Sequence, residues 1–139
     1  MMRLLLDTCV IIEWLADPDS IGDEVWDIIN EPRCKLNVSA ETARELIVSF
    51  NNKNLLPKYW KTAEEMLLAM KEEAMVDILP ISEPTMFTYS RLQLNEAQDH
   101  KDPSDHVIIS HAITEHLTLL SSDTRFPFYR NQGLDLIEY

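Results

Sequence analysis

The chain has 139 residues, of which 45% are hydrophobic and 26% charged, and its formal net charge is −12. This length suits one domain, residues 1–139, with one core. Two glycines are too few for a glycine-rich phosphate loop, and the acidic balance argues against passive nucleic-acid binding, which usually needs a basic surface. The charge is compatible with an enzyme whose bound metal supplies positive charge, and it favours a basic protein partner.

Signals for export or membrane insertion are weak in this sequence. The apolar residues 4–6 are too few for a signal-peptide core and run directly into Asp7. No apolar run approaches the length of a membrane span. Cys9 and Cys34 are the only cysteines. We therefore expect a cytoplasmic protein with reduced thiols and no membrane contact.

Short apolar runs alternate with helical patterns along the chain. In chain order, the pattern predicts a strand at 3–6, a helix around 21–29, a strand at 34–38, helices around 43–50 and 60–74, a strand at 77–81, a helix over 82–95, a helix from Asp102, and strands at 117–121 and 134–137. Such alternation is typical of a three-layer α/β/α fold with a central parallel sheet flanked by helices. Right-handed crossovers place the carboxyl ends of all strands at one edge, where sites of such folds lie.

Acidic residues follow two of the predicted strands. Asp7 comes directly after the first strand, and Asp123 follows the strand at 117–121. An aspartate in such a place often caps the next helix or turn, so each residue alone is compatible with a structural role.

Two further acids belong to predicted helices. Asp102 followed by proline is a helix start, which makes Asp105 the third helical residue, at the head of the apolar stripe of that helix. A carboxylate there is costly unless it is paired or metal-bound, although the helix N-terminus also stabilises an anion. Glu45 lies beside the apolar stripe of the helix at 43–50, and Glu41 is the rival candidate one turn earlier.

Three of these acids, Asp7, Asp105 and Asp123, are predicted at the same edge of the sheet. Clustered anions are unfavourable without a cation and should have raised pKa values, so neutralising Asp123 is expected to stabilise the metal-free fold. Hard oxygen ligands select Mg²⁺ or Mn²⁺. A zinc site is not expected, because the histidine spacings fit no helix face and no cysteine pair joins them. We interpret these histidines as exposed or packed: His100, His106, His111 and His116.

Four stretches of the sequence, in order and together spanning nearly the whole chain, resemble the PIN-domain nuclease family, in particular the VapC-like toxins of toxin–antitoxin pairs. They are Leu-Leu-Leu-Asp-Thr at 4–8, Val-Ser at 38–39 with Glu-Leu at 45–46, His-Lys-Asp-Pro-Ser-Asp at 100–105, and Leu-Ser-Ser-Asp at 120–123 with Phe126 and Tyr129 after it.

The resemblance implies a PIN fold and endoribonuclease activity that depends on Mg²⁺ or Mn²⁺. It assigns the catalytic and metal-binding roles to four acids: Asp7, Glu45, Asp105 and Asp123. It favours Glu45 over Glu41, because the family glutamate follows the strand-end serine, here Ser39, by six residues, and it gives Ser121 a supporting role. Two departures concern substrate contacts. His106 stands where the family often has arginine, and Ser104 where it often has an aromatic residue.

The resemblance also implies RNA as substrate, a homodimer, and a small antitoxin partner that is basic where it covers the acidic edge. From their nearness to site residues in the sequence, four basic residues are candidates for contacting substrate phosphates: Arg44, Lys53, Arg125 and Arg130. The alternative from another functional class is a catalytically inactive PIN-like domain that only binds a protein. Metal-dependent cleavage of RNA separates the two hypotheses.

Overall fold

The structure is a computed structural model that describes residues 2–52 and 59–139, so that Lys53 lies outside the described residues. Its centre is a sheet of five parallel strands in the order β3-β2-β1-β4-β5. The strands are β1 (Met2–Leu6), β2 (Cys34–Ser39), β3 (Val76–Leu79), β4 (Thr118–Ser121) and β5 (Asp135–Glu138). All five predicted strands are confirmed, although β3 ends before Pro80, which has no N–H to donate to a sheet partner.

Helices connect the strands on both sides of the sheet, which confirms the predicted α/β fold. They are α1 (Thr8–Ala16), α2 (Asp23–Ile29), α3 (Ala40–Asn51), α4 (Ala63–Glu72), α5 (Glu83–Arg91) and α6 (Pro103–Glu115). The sequence pattern did not predict α1. The end expected for α5 near Asn95 was wrong, because Leu92 already has extended backbone and Asn95 instead caps a short 3-10 helix, Glu96–Gln98.

The central strand β1 is buried on both faces, as expected for a parallel sheet between helical layers. Leu4 and Leu6 point into an apolar cluster that includes Ile11 of α1, whereas Leu5 points to the opposite face. There it packs in a cluster with Ile108 and Ile109 of α6. The alternation of successive side chains therefore gives the sheet two apolar layers, one on each side.

The carboxyl edge of the sheet carries the polar residues that the sequence analysis selected. Strand β1 leads through Asp7 into α1, β2 leads through Ser39 into α3, and β4 leads to Asp123. Among the helices formed by residues 2–52 and 59–139, none is long and apolar enough to cross a membrane.

Candidate metal centre

Three of the four predicted acids line one open pocket at the carboxyl edge of the sheet. The pocket has a volume of about 330 Å³. Its lining residues are Asp7, Thr8, Cys9, Asp102, Asp105, Ser122, Asp123 and Arg125. This lining contains four carboxyl groups and one guanidinium, so a net negative charge faces the pocket.

Asp7 is nearly buried, with 4% of its surface exposed, and its carboxylate is held at both oxygens. Its Oδ1 accepts a hydrogen bond from the backbone N–H of Thr8 (2.8 Å), and its Oδ2 accepts one from the Ser121 hydroxyl (2.6 Å). Burial raises the pKa of Asp7, and Asp123 adds to the rise, against the hydrogen bond from Ser121. The Ser121 oxygen also accepts the backbone N–H of Asp123 (3.1 Å). Ser121 therefore forms hydrogen bonds with two of the acids, Asp7 and Asp123.

Asp105 is the third residue of α6, whose N-cap is Asp102 as predicted. The Asp102 side chain accepts the backbone N–H of Ser104 at 3.0 Å. Burial, followed by the charges of Asp7, Asp102 and Asp123, raises the pKa of Asp105 to about 8. The carboxyl group therefore lies where an anion is disfavoured unless a cation joins it.

The pKa of Asp123 is shifted in the opposite direction, because Arg125 forms hydrogen bonds with its carboxylate. The Arg125 guanidinium donates from Nε to Asp123 Oδ1 (3.0 Å) and from a terminal nitrogen to Oδ2 (2.7 Å). The same terminal nitrogen lies 3.6 Å from Asp105 Oδ2. Hydrogen bonding from Arg125 lowers the pKa of Asp123 in spite of partial burial. The expectation that every acid of the cluster has a raised pKa was therefore wrong for Asp123, since an internal cation already neutralises it.

Glu45 does not line the pocket itself but contacts Thr8, which does. Its Oε1 accepts a hydrogen bond from the Thr8 hydroxyl (2.6 Å), and Thr8 lines the pocket. Burial raises the pKa of Glu45. The rival Glu41 accepts hydrogen bonds from Arg44 (2.9 Å from Nε) and the Ser104 hydroxyl (2.8 Å). Burial alone would raise the pKa of Glu41, but these two bonds outweigh it and lower the pKa. Glu45 therefore contacts the pocket through Thr8, whereas Glu41 forms an ion pair with Arg44.

The predicted phosphate-binding residues occupy different environments. Arg125 lines the pocket, whereas Arg44 is mostly exposed and pairs with Glu41. Arg130 donates to the carbonyl of Leu136 (3.0 Å) and to Glu138 (3.1 Å). Only Arg125 among the described candidates reaches the acids.

Histidine is the residue type at this site that the sequence analysis did not identify. His100, His106 and His111 are buried, in agreement with the packed interpretation. His100, however, also contacts one of the acids, because its Nε2 lies 2.9 Å from Asp105 Oδ2. One ligand atom each of His100, Asp105 and Asp123 lies within 4.8 Å of the others. His100 precedes α6 in a loop, so neither a helical nor a strand period in the sequence indicates this contact.

Burial, followed by the positive charges of Arg125 and His106, lowers the pKa of His100, so its ring is neutral near pH 7. The pocket is therefore a set of carboxylates with one guanidinium and one neutral imidazole at its side. This donor set is rich in hard oxygens, which suits Mg²⁺ or Mn²⁺.

Several solved structures similar to this chain are VapBC proteins, and one of them is described as a member of the VapBC family of toxin–antitoxin systems. A chain of VapBC2 from Rickettsia felis, bound to a promoter DNA fragment, is 20% identical with a TM-score of 0.77, and the match covers 99% of each chain. VapBC-1 from nontypeable Haemophilus influenzae is 20% identical with a TM-score of 0.73, covering 99% of this chain and 98% of the other. FitAcB from Neisseria gonorrhoeae is 22% identical with a TM-score of 0.66, covering 97% and 96%. At these identities the likeness shows the fold.

A comparison of the sequence with curated proteins gives no match. The sequence model of the PIN domain, by contrast, matches residues 4–132, which contain most of β1, all of β2, β3 and β4, and all four predicted acids. With the five-stranded parallel sheet and the acidic pocket at its carboxyl edge, this match shows that the chain belongs to the PIN domain family.

Proposed function

We propose that this protein is an endoribonuclease that depends on Mg²⁺ or Mn²⁺, and that it is the toxin of a toxin–antitoxin pair. One observation carries the proposal: Asp7, Asp105 and Asp123, from three separate elements, line one pocket. Membership of the PIN domain family supports nuclease chemistry.

The residues of the pocket fit a divalent cation. The lining holds four carboxyl groups against one guanidinium, and the pKa of Asp105 is raised to about 8 by burial and by its acidic neighbours. A protein gains little from assembling like charges at a partly buried site, since they repel one another and lose hydration. A cation of charge two offsets both costs. Asp7, Asp105 and Asp123 are therefore the residues that we propose as ligands.

A bound divalent ion supplies an acidified water and stabilisation of the charge that develops on the phosphate. The protein's own residues hold the reacting groups. Ser121 and the Thr8 backbone fix Asp7, and Thr8 holds Glu45 beside the pocket, where its raised pKa suits it to orient the attacking water and accept a proton. Arg125 can exchange its contact with Asp123 for a substrate phosphate. We expect products with 5′-phosphate and 3′-hydroxyl ends.

The toxin assignment draws on the similar structures, which are VapBC and related complexes. We propose that all 139 residues form one PIN domain, that it works as a homodimer in the cytoplasm, and that a small antitoxin with a basic contact surface covers the acidic edge. A reading frame for a small DNA-binding protein beside this gene would support the pairing.

The test of the nuclease function is cleavage of RNA by the purified protein. We expect cleavage with Mg²⁺ or Mn²⁺ and none in EDTA. Asp7→Asn and Asp105→Asn should each lose about a hundredfold or more in rate, the scale of removing one essential electrostatic group.

Asp99→Asn is the matched control, because Asp99 is an exposed aspartate paired with Lys101 and outside the pocket. Its rate should equal that of the wild type. Undiminished cleavage in EDTA would contradict the metal mechanism. Absence of cleavage under every metal condition, together with antitoxin binding, would instead identify an inactive domain that acts by protein binding.

A further inference from the structure

His100 is fixed in a buried hydrogen-bonded chain that ends on Asp105. The His100 side chain is fully buried, and its ring packs against Phe126 with centroids 5.5 Å apart. The backbone N–H of His100 donates to the carbonyl of Asn95 (3.1 Å), and its own carbonyl lies 3.0 Å from Nε2 of His106. Backbone and ring are therefore both held.

The hydrogen bonds around Tyr129 decide which ring nitrogen of His100 carries the hydrogen. The backbone N–H of Asn95 donates to the Tyr129 hydroxyl oxygen at 3.0 Å. The hydroxyl hydrogen then has Nδ1 of His100, also at 3.0 Å, as its acceptor. Nδ1 therefore carries no hydrogen, and the neutral ring has its hydrogen on Nε2, which donates to Asp105 Oδ2 at 2.9 Å. Each donor and acceptor in this series of hydrogen bonds then has a partner.

A metal ligand role for His100 would break this arrangement. Ligation through Nε2 requires that nitrogen to be unprotonated, which moves the hydrogen to Nδ1. Nδ1 would then donate to Tyr129, and the buried Tyr129 hydroxyl would have no acceptor among the described residues. Leaving a buried donor unpaired is unfavourable. The geometry thus favours a role through Asp105 over direct contact with the ion.

We propose that His100 is a positioning residue: with Tyr129 and the Asn95 backbone it holds one oxygen of Asp105, so that the carboxylate presents its remaining lone pairs to the metal. The inference rests on the proposed metal-dependent function and adds a residue to its machinery. Neighbours that orient a metal ligand in this way commonly contribute about ten- to a hundredfold to metal affinity.

The primary test is calorimetric titration of the full chain with MnCl₂. His100→Leu should weaken Mn²⁺ binding about ten- to a hundredfold, whereas His100→Gln should restore most of it, since its amide N–H can still donate to Asp105. His111→Leu is the matched control. His111 is an equally buried histidine that contacts Ser39 through Nδ1 and Glu115 through Nε2, neither of which is a proposed metal ligand, so its loss should leave Mn²⁺ affinity unchanged.

A second measurement reads the tautomer directly. In the Mg²⁺-saturated protein, nitrogen-15 imidazole spectra should show the His100 hydrogen on Nε2. Tyr129→Phe keeps the packing ring but removes the hydroxyl that holds Nδ1. It should leave the hydrogen on Nε2 beside the Asp105 carboxylate, but it should weaken Mn²⁺ binding because the imidazole is less firmly oriented. This variant also provides the test if His100→Leu does not fold.

Three results would overturn the positioning role. They are unchanged Mn²⁺ affinity in a folded His100→Leu or in Tyr129→Phe, an equal loss in His100→Leu and His111→Leu, and disappearance of the Nε2 hydrogen on adding Mg²⁺, which would make His100 a ligand. A wild type that binds no Mn²⁺ would overturn both proposals. Binding of Mn²⁺ that depends on His100, without cleavage of any RNA, would overturn only the nuclease function.

Discussion

At the scale of single residues, two aspartates of one pocket have pKa values that are shifted in opposite directions. The pKa of Asp105 is raised to about 8 by burial and acidic neighbours, while the pKa of Asp123 is lowered by hydrogen bonds from Arg125. The difference comes from one side chain, since the guanidinium is bidentate on Asp123 and 3.6 Å from Asp105. We therefore no longer expect Asp123→Asn to stabilise the metal-free fold, and we expect this effect from Asp105→Asn instead.

Asp105→Asn should stabilise the metal-free protein in a pH-dependent way. Between the ordinary aspartate pKa of about 4 and about 8, the folded state holds a proton that the unfolded chain has lost, so the free energy of unfolding falls as pH rises. Asparagine removes this dependence. In EDTA at pH 8 the variant should melt roughly 3–8 °C above the wild type, and the difference should shrink towards pH 4. Differential scanning calorimetry across this range measures it.

Asp123→Asn is the internal contrast. Its lowered pKa stabilises the fold above the ordinary aspartate pKa, so this variant should melt below the wild type at pH 8 in EDTA. Saturating Mg²⁺ should raise the midpoint of the wild type much more than that of either variant. An Asp105→Asn protein that melts below the wild type at pH 8 would show that Asp105 is a structural group.

Arg125→Gln should strengthen metal binding and weaken RNA binding. Arg125 is a cation that competes for Asp123, and its partly exposed pairing is worth up to about 1 kcal/mol. Its removal should therefore tighten Mn²⁺ binding by up to about fivefold while raising KM for RNA. Calorimetry and steady-state kinetics measure the two effects. Arg33→Gln, at an exposed arginine that pairs with Glu31 just before β2 and away from the pocket, should change neither, and weaker Mn²⁺ binding in Arg125→Gln would contradict the competition.

At the scale of elements, short turns at strand and helix ends bring the acids together. Ser39 caps α3 by accepting the N–H of Glu41 (3.2 Å), which fixes the helix that carries Glu45. Asp102 caps α6 and fixes Asp105. Gly133 ends the 3-10 helix Phe126–Gln132 with a φ of 101° and directs the chain into β5. The first two turns place Glu45 and Asp105 at or beside the pocket, and the third leads into the edge strand of the sheet.

Gly133→Ala should destabilise the fold by at least about 1 kcal/mol, because an L side chain is strained at this φ. Its Cβ would also lie 3.4 Å from Ile113. Gly22→Ser is the control, since Gly22 is the N-cap of α2 with a φ of −69°, a position that accepts serine, and no atom of the described residues lies within 4 Å of an added Cβ. Urea unfolding should show a lower midpoint for Gly133→Ala only. Equal midpoints for the two variants would contradict the strain at Gly133.

At the scale of the whole molecule, the net charge of −12 sets how partners approach. An antitoxin with a basic contact surface should associate quickly, with a rate constant that falls as salt rises, because long-range attraction is screened. Stopped-flow association with the product of the neighbouring reading frame, between low and physiological salt, measures this. A rate constant that does not change with salt would argue against steering by the surface charge.

The sequence by itself determined the strand pattern, the α/β class and the acids at the sheet edge. Asp7 and Asp105 are signalled by local features, an apolar strand before one and a helix start before the other, and such features extend over only a few residues. The parallel sheet then follows, because alternating strands and helices leave few ways to connect.

Only the tertiary structure decided the contacts that set the chemistry of the pocket. Arg125 on Asp123, His100 on Asp105, and Thr8 between Glu45 and the pocket all depend on side-chain directions in loops and across elements. No periodicity encodes these, because they arise from how two or more packed elements meet. The sequence therefore located the acids, whereas packing decided which of them are already paired and which are left for a cation.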